Sequence, residues 1–176
     1  AAPAISPAFT TEAAVVSTAN ATVEFEKYYN GSELYAIDDV TYKNYNNKAY
    51  LPAKVLHSAD AVKWYTLYTG TDVGDTELYT DDLLIQYLVT QGTPDGEERR
   101  YGLTWNAKAY ILAVAQDAEG HYGPVFRKSI TPSLSGVSPI SDLGFVTADA
   151  GTQSTPVMLR AVTPAAPLKR TAHVVR

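Results

Sequence analysis

The 176-residue chain contains no cysteine, which excludes disulfides and thiolate metal sites and leaves the redox compartment open. No apolar run approaches the ~20 residues that a membrane-spanning helix requires. No basic run is longer than Lys169-Arg170, and the net charge of −5 is spread along the chain. Both features argue against nucleic acid, whose phosphates need clustered cations. The sequence does not open on a charged segment followed by an apolar one, so an export signal is expected to have been removed already.

Signatures of catalysis are equally scarce. His57, His121 and His173 share neither HxxxH nor HxH spacing, and no G-x-S-x-G elbow occurs. The pairs Asp38-Asp39, Asp81-Asp82 and Glu97-Glu98 offer the two carboxylates that glycoside hydrolysis needs, yet each reads more simply as turn or helix-cap charge. Asp72, Asp75, Glu77 and Asp81 gather near a calcium-type loop but lack the EF-hand spacing and its terminal bidentate Glu. The expectation is therefore no catalytic residue, no metal and no cofactor.

What the sequence does have is tyrosine, thirteen against two Trp and one Met, a bias suited to half-buried strands. Val23 and Phe25 alternate with Glu24 and Glu26 in a first strand over 22–28. Asn30-Gly31 is a hairpin-type turn signal, followed by Leu34 to Ile37. Asp38 to Lys48 reads as a long polar loop. Strands follow over 49–56 and 62–69, with Val62, Trp64, Thr66 and Tyr68 sharing one face. Thr80-Asp81-Asp82 ahead of Leu83, Leu84, Tyr87 and Leu88 predicts a capped helix over about 81–91. Thr93-Pro94-Asp95-Gly96 is a turn, and Glu97 to Arg100 reads as a solvated edge.

The run Ala107 to Ala115 carries one charge, at Lys108, and ends in Gln116-Asp117-Ala118-Glu119-Gly120. That pattern predicts a buried strand and a reversal. Asp117 can bond its own backbone and Gly120 can take a positive φ, with His121 to Ile130 returning. Whether Ala109, Ile111, Ala113 and Ala115 or Tyr110, Leu112 and Val114 face the core is open, because one residue of slip exchanges the faces.

Leu103, this strand, A-x-D-A-E-G and Tyr122-Gly123-Pro124-Val125-Phe126 resemble the E–F corner, strand F and F–G hairpin of a fibronectin type III domain. The D-A-E-G-x-Y-G-P-V wording is similar to sandwich modules in surface lipoproteins of gut Bacteroidetes. Two positions depart from that pattern. Trp105 stands where the family has Pro, with the expected aromatic displaced to Tyr110, and Trp64 lies on the third strand rather than the second.

The resemblance implies an all-β, fibronectin type III/Ig-like β-sandwich with one short inserted helix and a C-terminal extension. Residues 1–19 read as a linker or the last strand of a preceding domain, because Pro7-Ala8-Phe9 echoes Pro124-Val125-Phe126. The sandwich spans 20–131. Residues 132–176 form an extension, with strand candidates at Gly144 to Ala148 and Pro156 to Val162, docked on the sandwich or on a neighbour.

Between positions 28 and 50 stand six tyrosines interleaved with Asn. Such rings suit glycan stacking or a protein interface, or else cross-strand packing. Tyr42, Tyr45, Tyr28 and Tyr29 are the expected ligand contacts. Tyr42 and Tyr45 are expected to be exposed, and Tyr35 and Tyr50 buried. The implied function is a non-catalytic module of a bacterial cell-surface or secreted protein, for adhesion, recognition or domain spacing. The alternative is a glycan-binding accessory domain of a polysaccharide-utilisation system. Its partner would be a protein or glycan, with self-association through an edge strand or the tail.

Overall fold

The computed structural model describes residues 15–143 and 150–161. The echo at Pro7 to Phe9, the strand candidate at Gly144 to Ala148, His173 and Lys169-Arg170 lie outside those residues.

Two sheets face each other. The first holds β1 (Ala21–Glu24), β2 (Tyr29–Asn30), β3 (Ala49–His57), β6 (Glu98–Leu103) and β9 (Gly151–Gln153), in the order β1-β3-β6-β9 with β2 also on β3. The second holds β4 (Lys63–Thr69), β5 (Thr93–Pro94), β7 (Ala109–Gln116) and β8 (Phe126–Ile130), in the order β5-β4-β7-β8. Every pairing is antiparallel except β6 with β9. Among the described residues there are also two α-helices, α1 (Gly31–Ile37) and α2 (Asp81–Gln91), and three short 3-10 turns.

The core between the sheets is built from alternate residues of each strand: Ala21 and Val23, Ala49, Leu51 and Val55, Tyr101 and Leu103, against Tyr68, Ala109, Ile111, Ala113 and Ala115. Tyr68 and Tyr101 meet across it edge to face, with ring centres 6.1 Å apart. The open register of β7 has a physical answer. Its odd residues face this core, while Leu112 and Val114 face α2 with Leu83, Leu84, Ile85 and Leu88. Both alternatives are buried, so a strand covered on two sides reads as a continuous apolar run. Tyr110 packs on the α2 side, away from the core between the sheets.

The predicted helix is present with its predicted bounds. Thr80 accepts a hydrogen bond from the Leu83 N–H at 3.2 Å, as an N-cap should. Arg127 fixes its start, donating to the carbonyls of Val73 and Tyr79 and to Asp81 at 2.9 Å. The turn after β7 also forms: Gly120 has φ +90, and Asp117 Oδ1 accepts from the N–H groups of Glu119 and His121.

Several expectations are corrected. Asn30-Gly31 does not turn a hairpin; Asn30 caps α1 by accepting from the Ser32 N–H at 3.0 Å, and Leu34 to Ile37 are helical. The Glu97 to Arg100 run is no solvated edge, because β6 lies inside the sheet and Arg99 is only 1% exposed. Val62 lies outside its strand and is exposed. The returning strand is shorter than expected, Phe126–Ile130, with Tyr122 bridging singly to Gln116. Ser17 and Ala19, placed in the linker, are buried; the Ser17 N–H donates to the Tyr122 carbonyl at 3.0 Å.

The described residues 151–159 of the extension pack on the same chain. Val157 bridges to Thr69, and Leu159 is buried in the α2 layer.

Candidate functional site

Since Arg99, Tyr101 and Leu103 point into the core, Arg100 and Gly102 lie on the outer face of the first sheet. Tyr50 and Pro52 of β3 lie beside them, with Thr152 of β9 opposite Arg100. Above this face the chain folds α1 and a short 3-10 turn, Lys43–Tyr45, back over β3. The crossing is tight: a Cβ at Gly31 would collide with the carbonyl oxygens of Tyr45 and Lys48. Asp38 Oδ1 holds the connection by accepting from the Val40 and Thr41 N–H groups, bonds that lower its pKa. Ser32 Oγ accepts from the Asn47 N–H at 2.9 Å and donates to Asn46 at 3.0 Å.

The result is a compact tyrosine cluster beneath one cation. Tyr45 and Tyr50 meet edge to face at 4.8 Å, Tyr42 and Tyr50 at 5.4 Å, and Tyr42 and Tyr45 at 6.4 Å. The Arg100 guanidinium lies 5.8, 5.6 and 5.6 Å from the ring centres of Tyr42, Tyr45 and Tyr50, within cation–π range of all three. Its Nε donates to Tyr50 Oη at 3.1 Å. Its terminal nitrogens have no hydrogen bond or carboxylate partner among the described residues. Burial pushes the Tyr50 phenol up to about 12. Burial also raises Tyr45, whose hydroxyl is enclosed. A hydrogen-bonding contact with the Thr152 side chain partly offsets that rise, which places the Tyr45 hydroxyl beside β9.

The expected ligand contacts therefore separate. Tyr42 is half-buried at the rim. Tyr45, expected to be exposed with it, is 2% exposed, because the 3-10 turn lays its ring on Tyr50. Tyr50 is buried as expected, whereas Tyr35 on α1 is only half-buried. Tyr28 and Tyr29 are engaged elsewhere: Tyr28 Oη donates to the Ser133 carbonyl and accepts from its N–H, and Tyr29 Oη donates to the Asp142 carbonyl. They anchor the segment after β8. The sequence reading missed Arg100; the alternation of Glu98-Arg99-Arg100-Tyr101-Gly102-Leu103 was the available signal, one arginine in and one out.

The acidic groups do other work. Asp72 accepts from the Gly74 N–H and pairs with Lys108, Asp75 accepts from the N–H groups of Glu77 and Leu78, and Asp81 pairs with Arg127. They do not form a cation cage. Asp117, Glu119 and His121 do converge, with ligand atoms within 4.8 Å, but Asp117 is the acceptor that holds this turn. Its pKa is lowered, first by the Ser17 side chain and then through the turn's own N–H groups. His57 stacks on Trp64 at 3.8 Å with Glu97 3.4 Å away.

No helix among the described residues is long and apolar enough to cross a membrane. No protein-family model, curated protein or solved structure matches the chain.

Proposed function

We propose that this chain is a fibronectin type III-like recognition module of a bacterial cell-surface or secreted protein, without catalytic activity of its own. Sheet order supports the fold part of that reading. Lettered along the chain, β1, β3 and β6 correspond to A, B and E, and β4, β7 and β8 to C, F and G. A-B-E on one sheet and C-F-G on the other is the immunoglobulin-type arrangement. The inserted α2 and the docked tail are additions to it.

The observation that carries recognition is the Arg100–tyrosine cluster: a cation held by Tyr50, its terminal donors unengaged among the described residues, beside the half-buried ring of Tyr42. Tyr and Arg are the residue types that dominate recognition surfaces, because they bring large contact area at low entropic cost. The use of Asp38, Asp72, Asp75 and Asp117 as acceptors for nearby backbone N–H groups supports the non-catalytic part. The same cluster favours the glycan-binding accessory role over a spacer role, since a spacer has no use for a fixed guanidinium. A glycan array probed with the intact chain tests this. Binding confined to one sugar class is expected, and silence across the array, with no attachment to cells or surface proteins, would return the spacer reading.

A further inference from the structure

We infer that the Arg100 site takes the carboxylate of an acidic sugar, so that the module recognises a uronate-bearing polysaccharide. This rests on the recognition reading above and narrows it to a ligand class.

A carboxylate is best held by two parallel N–H donors of a guanidinium. Arg100 offers that fork already oriented, because its Nε bond to Tyr50 and the rings of Tyr42, Tyr45 and Tyr50 fix the rest of the group. Preorganisation of this kind removes part of the ordering cost of binding. The second observation is Thr152, exposed and opposite Arg100 on the neighbouring strand, with its side chain beside the enclosed Tyr45 hydroxyl. A sugar carries hydroxyls next to its ring carboxylate, so one ligand residue can meet Arg100 and Thr152, which sit opposite each other on β6 and β9.

The surroundings argue against other anionic ligands. A nucleic acid or polyphosphate needs a track of cations. Here Lys48 donates to the Ser154 carbonyl, and Lys54 lies opposite Glu98. One fixed guanidinium, with Lys43 of the 3-10 turn as a further exposed cation nearby in the chain, suits a polymer whose charges are separated by neutral hydroxylated rings. An extended peptide is ordinarily read through its main chain at a free strand edge, and the edge strand beside Arg100 is β9, only 3 residues long. What this face presents is side chains: Tyr42, Arg100 and Thr152.

The test uses isothermal titration of the full chain with oligogalacturonate, with its methyl ester, and with a neutral cello-oligosaccharide. The acid should bind, and the ester should bind about tenfold or more weakly, the factor expected when a charge-assisted contact is lost. Arg100→Gln should cost the acid a similar factor and make acid and ester indistinguishable. Thr152→Val, at an exposed position away from the core, should weaken the acid several-fold while the fold is unchanged. An ester that binds as tightly as the acid overturns the carboxylate assignment while leaving a glycan-recognition surface in place. Unchanged acid binding by a folded Arg100→Gln protein does the same. Failure of all three saccharides also overturns the assignment, and the broader recognition reading is then decided by the cell-attachment assay alone.

Discussion

The side-chain amide of Gln153 lies against the backbone of Tyr68, accepting from its N–H at 2.8 Å and donating to its carbonyl at 2.9 Å. It stands in for a neighbouring strand. β5 covers β4 only at Tyr65 and Thr66, so the outward groups of Tyr68 would otherwise form a bare edge. Val157 donates to the same carbonyl, and Thr71 and Leu159 exchange two further bonds. On the other sheet β9 covers β6. One segment thus closes one side of both sheets, and unpaired edges are templates for association.

Removal of residues 151–176 should therefore lower the melting temperature and produce concentration-dependent association in sedimentation. Leu159→Ala in the full chain isolates the packing share, with a cost of about 2 kcal/mol or more for a buried Leu. A truncated protein that sediments as a monomer and melts like the full chain would show that the tail is merely attached.

The turn after β7 depends on Gly120. At φ +90 a β-branched residue is strained, and the flanking bonds from Asp117 hold the backbone in place. Gly120→Val should destabilise by more than about 1 kcal/mol in denaturant titration. Equal midpoints for the two proteins would contradict the role of the positive φ.

Alkaline pH should unfold this protein through its tyrosines. Burial raises the pKa of Tyr29, Tyr45, Tyr68 and Tyr101, and takes Tyr50 to about 12. A phenol whose folded pKa exceeds its unfolded value stabilises fully below the unfolded value, here near 10, and loses that contribution as pH rises through the folded one. For Tyr50 the window runs from about 10 to about 12 and is worth on the order of 2–3 kcal/mol. Tyr50→Phe should flatten the fall in unfolding free energy across that window. An identical slope in the variant would place the loss elsewhere.

How much of this was legible in the sequence varied with the number of structures a pattern permits. Thr80 ahead of an apolar stretch allows one reading, and α2 follows it. Asn30-Gly31 allows two, since Asn serves a hairpin turn and a helix N-cap alike, and the seven residues of α1 are too few to separate a period of 3.6 from 2. Arg99 was hidden in a charge run because composition does not show direction. Its neighbours explain the burial: Thr66 Oγ1 accepts from its Nε at 2.7 Å, the Asp95 and Thr93 carbonyls from its Nη2 at 2.6 and 3.3 Å, and the Glu98 carbonyl from its Nη1 at 3.1 Å. Tyr45 was misplaced because its Asn-rich flanks suggested solvent, while the 3-10 turn that buries it depends on Gly31 fourteen residues earlier.

That misplacement changes what the tyrosine substitutions should do. Tyr42 and Tyr45 are not an equivalent exposed pair. Tyr45→Ser removes a buried ring and should cost about 3–5 kcal/mol, whereas Tyr42→Ser, at the half-buried rim, should cost nearer 1 kcal/mol. Tyr45→Phe separates ring from hydroxyl. The hydroxyl is enclosed beside the Thr152 side chain, and deleting it should change stability by no more than about 1 kcal/mol. If it orients Thr152 toward a ligand hydroxyl, Tyr45→Phe should bind that ligand more weakly while melting close to the wild type. Recognition then falls while stability holds, as expected of a group that serves the site more than the fold. Thermal melts and titrations on the same Tyr45→Phe sample decide it: a variant that melts several degrees early has lost an internal hydrogen bond, and the hydroxyl then belongs to the fold rather than to the ligand.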